Sequence, residues 1–370
     1  MSRRPRPDEP GPETAPAPPA AETARPAPPP ALADVLERTT IVTLPLATRF
    51  RGVLEREVAI VEGPVAWTEF SPFLEYGDVE ASAWLAGALE FGFDASLDRI
   101  HTGWVGVNAT VPAVEASRVA EVLARFGECR TAKVKVAEPG QSLADDVARV
   151  ARVRELMGPD VAIRVDANGG WTADEAVRAL EALAPLGLQY AEQPCRTVDE
   201  LARVRERLRG AVRIAADESV RKASDPLAVA RAGAADGVVV KAQPLGGVRR
   251  AAAVVREAGL PATVSSALDS SVGIAMGAQL AAAVAGDAER FGAPAGGFDA
   301  GLGTVSLFEA DVAVSPLRPV DGRISLAPVE VDRAALRSLA APRDRDAWWR
   351  ERIARCHALL AASTASASIE

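Results

Sequence analysis

Between residues 104 and 303 the chain repeats two patterns. Short apolar runs rich in Val, Ile and Ala each end on a polar residue. Between them lie stretches with apolar residues at steps of three and four. Examples are AlaAspGluAlaValArgAlaLeuGluAlaLeu (173–183) and AspGluLeuAlaArgValArgGluArgLeu (199–208). The runs read as strands and the stretches as amphipathic helices, and their alternation predicts a parallel sheet. The polar residues that end the runs are Asp166, Glu192, Asp217, Lys241 and Ser265, spaced by 26, 25, 24 and 24 residues. About 25 residues suits one strand, one helix and two short loops. Repetition over this length predicts a β/α barrel rather than an open sheet. In such barrels the chemistry sits at the C-terminal strand ends, where each of these five residues falls.

The flanking regions have other patterns. Residues 1–31 are dominated by Pro, Ala, Glu and Arg and predict a disordered tail. Residues 38–71 hold three β-rich runs: ThrThrIleValThrLeuPro, PheArgGlyValLeuGluArgGluValAlaIleValGlu and ValAlaTrpThrGluPhe. The turn GluGlyPro (62–64) separates the last two, which predicts an antiparallel meander. An amphipathic helix follows over 78–92. These elements predict an α+β domain over 32–100, ahead of a barrel over 101–304 that opens near Trp104. Residues 305–370 do not continue the repeat. They predict short strands around 311–315 and 323–330 and a helix over 343–361, packed back on the first domain or on the outside of the barrel.

Composition narrows the function classes. Of 370 residues, 48% are hydrophobic and 25% charged, an ordinary balance for a protein with a core. The net charge of −8 is dispersed and no basic stripe appears, so nucleic acid is not an expected partner. No run of 18 apolar residues predicts a membrane span, and the N-terminus lacks the apolar core of a signal peptide. The three cysteines are far apart and outside any CxxC spacing, which predicts reduced thiols and a cytoplasmic protein. The sequence does not set the oligomeric state, and a monomer is compatible with it. Neither histidine, His101 or His357, follows a strand of the repeat, which argues against a histidine triad.

Lysine is rare: Lys133, Lys135, Lys222 and Lys241 are the only ones among 42 basic residues. Arginine cannot release a proton in a protein, whereas a lysine amine can be tuned to do so. Lys133 and Lys135 lie two apart in ThrAlaLysValLysVal and share one face of a strand. Adjacent ammonium groups and a nearby dication would lower both pKa values, which makes a general base. Lys222 follows a strand-end motif and is expected on a helix surface. Asp166, Glu192 and Asp217 supply three oxygen donors, suited to a hard divalent cation such as Mg²⁺, with Mn²⁺ as a substitute. ThrAlaAspGlu (172–175) already forms a capping box for the helix after Asp166, which leaves that carboxylate for other work. Asn168 and Glu218 flank the ligands. Lysines on both sides of a metal describe removal of a proton α to the carboxylate of a small-molecule substrate, with the metal stabilising the enediolate. A Schiff-base aldolase also uses a strand-end lysine, but it needs no metal, and the three carboxylates argue against it.

Seven segments carry a family resemblance. They are ThrAlaLysValLysValAlaGluProGly (131–140), ArgValAspAlaAsnGlyGlyTrp (164–171), TyrAlaGluGlnProCys (190–195), AlaAlaAspGluSerValArgLysAla (215–223), ValValLysAlaGlnProLeuGlyGly (239–247), SerSerAlaLeuAspSerSerValGly (265–273) and GlyLeuGlyThr (301–304). Over roughly residues 38–315 the chain resembles the enolase superfamily, in its muconate-lactonising subgroup. The resemblance implies an α/β fold: a modified TIM barrel, (β/α)7β, with an α+β capping domain. It implies Mg²⁺ ligation by Asp166, Glu192 and Asp217, with Lys135 as base and Lys133 as its electrostatic support. Lys241 would stabilise the enediolate from the opposite wall. Ser265, Ser266 and the backbone of Gly301, Leu302 and Gly303 match positions near the substrate side chain, and Asn168 is a further substrate-side candidate. Arg49, with Phe50 and Arg51, falls where a capping-domain loop covers the substrate. The implied activity is a lyase reaction, dehydration of a cyclic hydroxy-carboxylate on one face. N-succinylamino acid racemisation or dipeptide epimerisation is the alternative on the same residues. Relatives that racemise N-succinylamino acids often carry Arg three residues after the opposite-wall lysine. Here that residue is Pro244, which favours the lyase.

Overall fold

A computed structural model describes residues 28–221 and 225–366. The tail expected over 1–31 therefore lies outside the described residues up to position 27, and so does Lys222. Helix α1 (Leu32–Glu37) leads into an antiparallel sheet of β1 (Thr39–Phe50), β2 (Val53–Glu62) and β3 (Trp67–Phe70), and α2 (Asp78–Phe93) follows. The run expected over 50–62 is broken near its start. Arg51 and Gly52 take positive φ values of 50° and 81°, and Phe50 pairs with Val53 across a tight hairpin.

β4 (Trp104–Gly106), expected to open the barrel, pairs instead with Arg323–Ser325, antiparallel and outside the barrel sheet. Its local pattern is the same whichever segment takes its edge, so only the tertiary partner decides. The barrel opens one step later, at β5 (Ala109–Val111), followed by α3 (Val119–Leu123). Then come β6 (Thr131–Lys135), α4 (Leu143–Met157), β7 (Ala162–Asp166), α5 (Ala173–Leu183), β8 (Leu188–Glu192) and α6 (Val198–Leu208). The repeat continues through β9 (Ile214–Ala216), the short helices α7 (Glu218–Arg221) and α8 (Ala228–Arg231), β10 (Gly237–Val240), α9 (Val248–Ala258), β11 (Ala262–Val264) and α10 (Ser271–Arg290). The seven strands run parallel in sequence order. Ala300 and Gly301 form the eighth rung: Ala300 bridges Val107 and Gly301 bridges Ser265, both parallel, which closes the barrel. The strands approach closely there: a Cβ at 301 would lie 2.5 Å from Ser265 Oγ and displace that side chain. The architecture is a (β/α)7β barrel with an α+β capping domain.

Capping boxes at Ser142, Thr172 and Thr197 start α4, α5 and α6. Helix α10 has the length and apolarity to cross a membrane, but most of it is buried, and it packs against β3, β11 and α9. The strands expected at 311–315 and 323–330 reduce to an Ala313–Val331 bridge and β12 (Arg323–Ser325). After α11 (Arg333–Ser338), helix α12 (Arg343–Ser366) packs on α2 and β1. Trp349 is buried there, edge-on to Phe70 at 5.9 Å, and donates to Glu57 Oε2 at 2.7 Å.

Two capping-domain carboxylates dock onto barrel helices. Glu90 on α2 accepts from the backbone N–H of Val248 (2.6 Å) at the start of α9. Glu69 on β3 accepts from Ser270 N (3.0 Å) and Gly273 N (3.2 Å) at the start of α10. Each satisfies orphan N–H groups and places negative charge at the positive end of a helix dipole. Burial and the neighbouring Asp269 carboxylate push the Glu69 carboxyl up to about 7, although hydrogen bonds from Ser270 and Ser71 oppose this. We expect Glu90→Ala to lower unfolding free energy by about 1 kcal/mol, as loss of a helix cap does. Urea denaturation checks this, and an unchanged midpoint would refute the docking role.

Candidate active site

The site grows from the inward faces of neighbouring strands. Lys133 and Lys135 on β6 point the same way, and the residues are 7% and 8% exposed, so neither reaches past the outer helices to solvent. Asp166 ends β7 beside Lys135 in register, and Glu192 ends β8 beside Asp166. Asp217 follows β9 and Lys241 follows β10. All three carboxylates are buried. The ladder of polar strand ends has become a row of acids with amines on both sides.

The ion pairs are short. Lys133 Nζ lies 3.1 Å from Glu192 Oε1 and 3.2 Å from Asp166 Oδ2. Lys135 Nζ lies 2.5 Å from Asp166 Oδ2 and donates to Asn168 Oδ1 at 2.6 Å. Lys241 Nζ pairs with Asp217 Oδ2. Arg221 Nε donates to the other oxygen of Asp217 at 3.0 Å. The two β6 lysines are therefore not equivalent. Burial lowers the pKa of Lys135, and repulsion from Lys133 adds to this against the attraction of Asp166. Burial also disfavours charge on Lys133, but Glu192 and Asp166 together outweigh it and raise its pKa. The expectation that both amines are lowered is thus corrected for Lys133, which faces two carboxylates. Burial opposes ionisation of Asp166, but Lys135 and Lys133 hold its pKa well below the usual range. Burial likewise opposes ionisation of Asp217 and is outweighed by Lys241 and Arg221. Glu192 is pushed up to about 7 by burial and by Asp166, with Lys133 opposing.

The donor chemistry of Asp166, Glu192 and Asp217 suits a hard dication: three buried carboxylates on adjacent strand ends, oxygen only. Their present arrangement is that of ion pairs. Among the described residues, no group of three or more acidic, Cys or His side chains is gathered as a metal site, because the carboxylates are turned toward the lysines.

A cleft of about 380 Å³, its mouth included, opens over this row. Lys133, Lys135, Asp166, Asn168 and Lys241 line its floor, and Ser265, Ser266 and Gly301 one wall. Asn168 reaches it from a left-handed backbone (φ 46°) and donates to Glu218 Oε1 at 3.2 Å. The Ser266 hydroxyl is held by Gly301 O and Thr304 Oγ1, each at 2.8 Å. Other expected residues lie elsewhere. Leu302 is fully buried and packs on α10, where a Cβ at Gly277 would meet its Cδ2 at 2.7 Å. Gly303 sits against Asn108 O and Phe126. Arg49 is exposed and does not line the cleft. Strand alternation sends its neighbour Phe50 inward, and Phe50 and Arg51 form the lid side of the cleft, with Lys135 Nζ 5.4 Å from the Phe50 ring centroid. Arg221 was not singled out from the sequence. Its signal was present: it stands four residues after Asp217, one helical turn on.

A closed β/α barrel under a docked capping domain, with buried carboxylates and lysines at its strand ends, has the architecture of an enolase-type enzyme. The chain belongs to the enolase family: residues 115–329 match the family described as Enolase C-terminal domain-like, and residues 41–92 match Enolase N-terminal domain-like. It is 53% identical over 332 residues to the o-succinylbenzoate synthase of Mycolicibacterium smegmatis, covering 90% of this chain and 98% of that one. It is 51% identical over 335 residues to the o-succinylbenzoate synthase of Mycobacterium tuberculosis, with 90% and 98% covered. In fold it is similar to the muconate lactonizing enzyme from Pseudomonas putida, with a TM-score of 0.64 at 19% identity, over 82% of this chain and 98% of that one.

Proposed function

We propose that this protein is a Mg²⁺-dependent lyase. It dehydrates 2-succinyl-6-hydroxy-2,4-cyclohexadiene-1-carboxylate to 2-succinylbenzoate, a step of menaquinone biosynthesis. The observation that carries the reading is that Lys135 and Lys241 both line the cleft and pair with Asp166 and Asp217, the outer two of three buried carboxylates on successive strand ends. The relatives at about half identity support the same reaction. Asp166, Glu192 and Asp217 would hold Mg²⁺, or Mn²⁺ in its place. When bound, the cation neutralises charge on the substrate carboxylate and on the enediolate derived from it.

The side chains supply the rest. Lys135 removes the α-proton and returns a proton to the departing hydroxyl on the same face. Lys133, held by Glu192 and Asp166, stays cationic beside it and opposes its protonation. Lys241, on the far wall, places positive charge next to the enediolate. Asn168 orients the Lys135 amine through its Oδ1. Ser265, the Gly301 backbone and Arg51 at the mouth fit the role of contacts to the succinyl arm. Three free, buried thiols, Cys129, Cys195 and Cys356, support a reducing, cytoplasmic setting.

Product analysis with purified protein, Mg²⁺ and the cyclohexadiene substrate tests the reading. We expect 2-succinylbenzoate as product. Lys241→Arg keeps the charge on the far wall and is expected to retain measurable dehydration, reduced by about 10² to 10³, the effect of disturbing one oxyanion donor. In deuterated water an N-succinylamino acid should exchange slowly. Exchange at both faces, faster than dehydration and dependent on Lys241, would instead assign a racemase or epimerase.

A further inference from the structure

A chain of buried and half-buried hydrogen bonds runs from the capping domain to the metal-site carboxylates and on to Lys135. Arg221, at the end of α7, is fully committed. Its Nε donates to Asp217 Oδ1 at 3.0 Å, its Nη2 to Glu218 Oε1 at 2.6 Å and its Nη1 to the phenolic oxygen of Tyr76 at 3.0 Å. Glu218 Oε1 also accepts from Asn168 Nδ2, and Asn168 Oδ1 accepts from Lys135 Nζ at 2.6 Å. Tyr76 lies 145 residues before Arg221, on the loop between β3 and α2. That loop is fixed from the C-terminal end of the chain: the buried guanidinium of Arg352 on α12 donates to Tyr76 O at 2.5 Å and Phe73 O at 3.1 Å. The Tyr76 ring packs among Phe73 and Trp84, at centroid distances of 5.7 and 6.0 Å.

We infer that Tyr76 is a positioning residue that acts through Arg221 to orient Asp217 and, through Glu218 and Asn168, the amine of Lys135. The inference rests on the reading of Asp217 as a metal ligand and Lys135 as the base. Arg221 must place one planar fork on two carboxylates at once. Among the described residues, the acceptor for its remaining arm is Tyr76 of the capping domain. Loss of the phenolic oxygen leaves that arm without its acceptor, so the guanidinium can turn and carry both carboxylates with it. The barrel would thus hold its metal ligands in register only while the capping domain is seated.

Tyr76→Phe tests this, because the ring and its packing are kept and the hydroxyl alone is lost. Mn²⁺ affinity is measured by titration of the metal-free protein, with kcat, KM and melting temperature determined in parallel. Removal of a group supporting a metal ligand typically costs about 10- to 100-fold in affinity or activity. We expect the Mn²⁺ dissociation constant of Tyr76→Phe to rise about tenfold and kcat to fall by a similar factor, with KM changed by less than about threefold. Glu57→Gln is the comparison. It loosens the contact of α12 with the capping sheet at Arg345 and Trp349, away from the cleft, and should lower melting temperature without moving Mn²⁺ affinity. Unchanged Mn²⁺ affinity in Tyr76→Phe, with wild-type binding intact, would overturn the inference alone. So would an equal loss of affinity in Glu57→Gln. If the wild-type protein binds no Mn²⁺, the metal-site reading fails and this inference falls with it.

Discussion

Lys135→Arg is expected to be folded and inactive, with kcat reduced by at least about 10⁴, the upper range for a general base. The Lys135 amine is buried, 2.5 Å from Asp166 and 2.6 Å from Asn168, and it lines the cleft. Arginine keeps the positive charge that Asp166 requires, so the ion pair and the fold should survive. It cannot give up a proton near neutral pH, so the base is lost. Its fork is also larger than an ammonium group, and the neighbouring Phe50 ring leaves little room for it. A turnover assay following 2-succinylbenzoate, paired with a thermal melt, checks both halves. Turnover within tenfold of wild type would remove Lys135 from the role of base.

Metal removal should have an effect as large. EDTA is expected to abolish dehydration, and Mg²⁺ or Mn²⁺ to restore it. Asp217→Asn should not be rescued by either ion. Asp217 is fully buried and receives both Lys241 and Arg221. The asparagine variant leaves two buried cations facing a neutral amide. Breaking a buried ion pair from one side typically costs about 3 to 5 kcal/mol, so metal-free Asp217→Asn should also melt below the metal-free wild type. Full activity in exhaustively chelated protein would falsify the metal assignment. An unchanged metal-free melt would show that the two cations rearrange without penalty.

Much of the fold was legible in the chain because a βα unit has a nearly fixed length. The spacing of Asp166, Glu192, Asp217, Lys241 and Ser265 follows from that length, and so does their arrival at one end of the barrel. The helices over 173–183 and 199–208 were visible through their period, and the first also through its capping box at 172–175. The hairpin tip was not, because the turn is only ArgGly at 51–52 and charged residues recur among apolar ones on both sides of it, so Arg51 does not stand out as a break. The β4 strand was placed in the barrel because its partner, Arg323–Ser325, lies more than 200 residues away.

The candidate site divides along the same line. Residue type and strand position alone brought Lys133, Lys135, Asp166, Glu192, Asp217 and Lys241 together, since each depends on one short segment and its period. Which neighbours turn toward them depends on contacts between distant segments. Arg49 points to solvent and Phe50 to the cleft because they alternate along β1, and Arg51 joins Phe50 there from the hairpin tip. Gly301 lines the cleft while Leu302 fills the space beside Gly277, because closure of the eighth rung sets the direction of each side chain. The unequal charge environments of Lys133 and Lys135 arise from carboxylates on two other strands. The sequence by itself determined the barrel and the row of acids and amines at its mouth, because strand–helix periodicity is local. Only the tertiary structure decided which of the expected lid and wall residues face the cleft, and made the Tyr76–Arg221 contact, because each needs two surfaces to meet that no local pattern encodes.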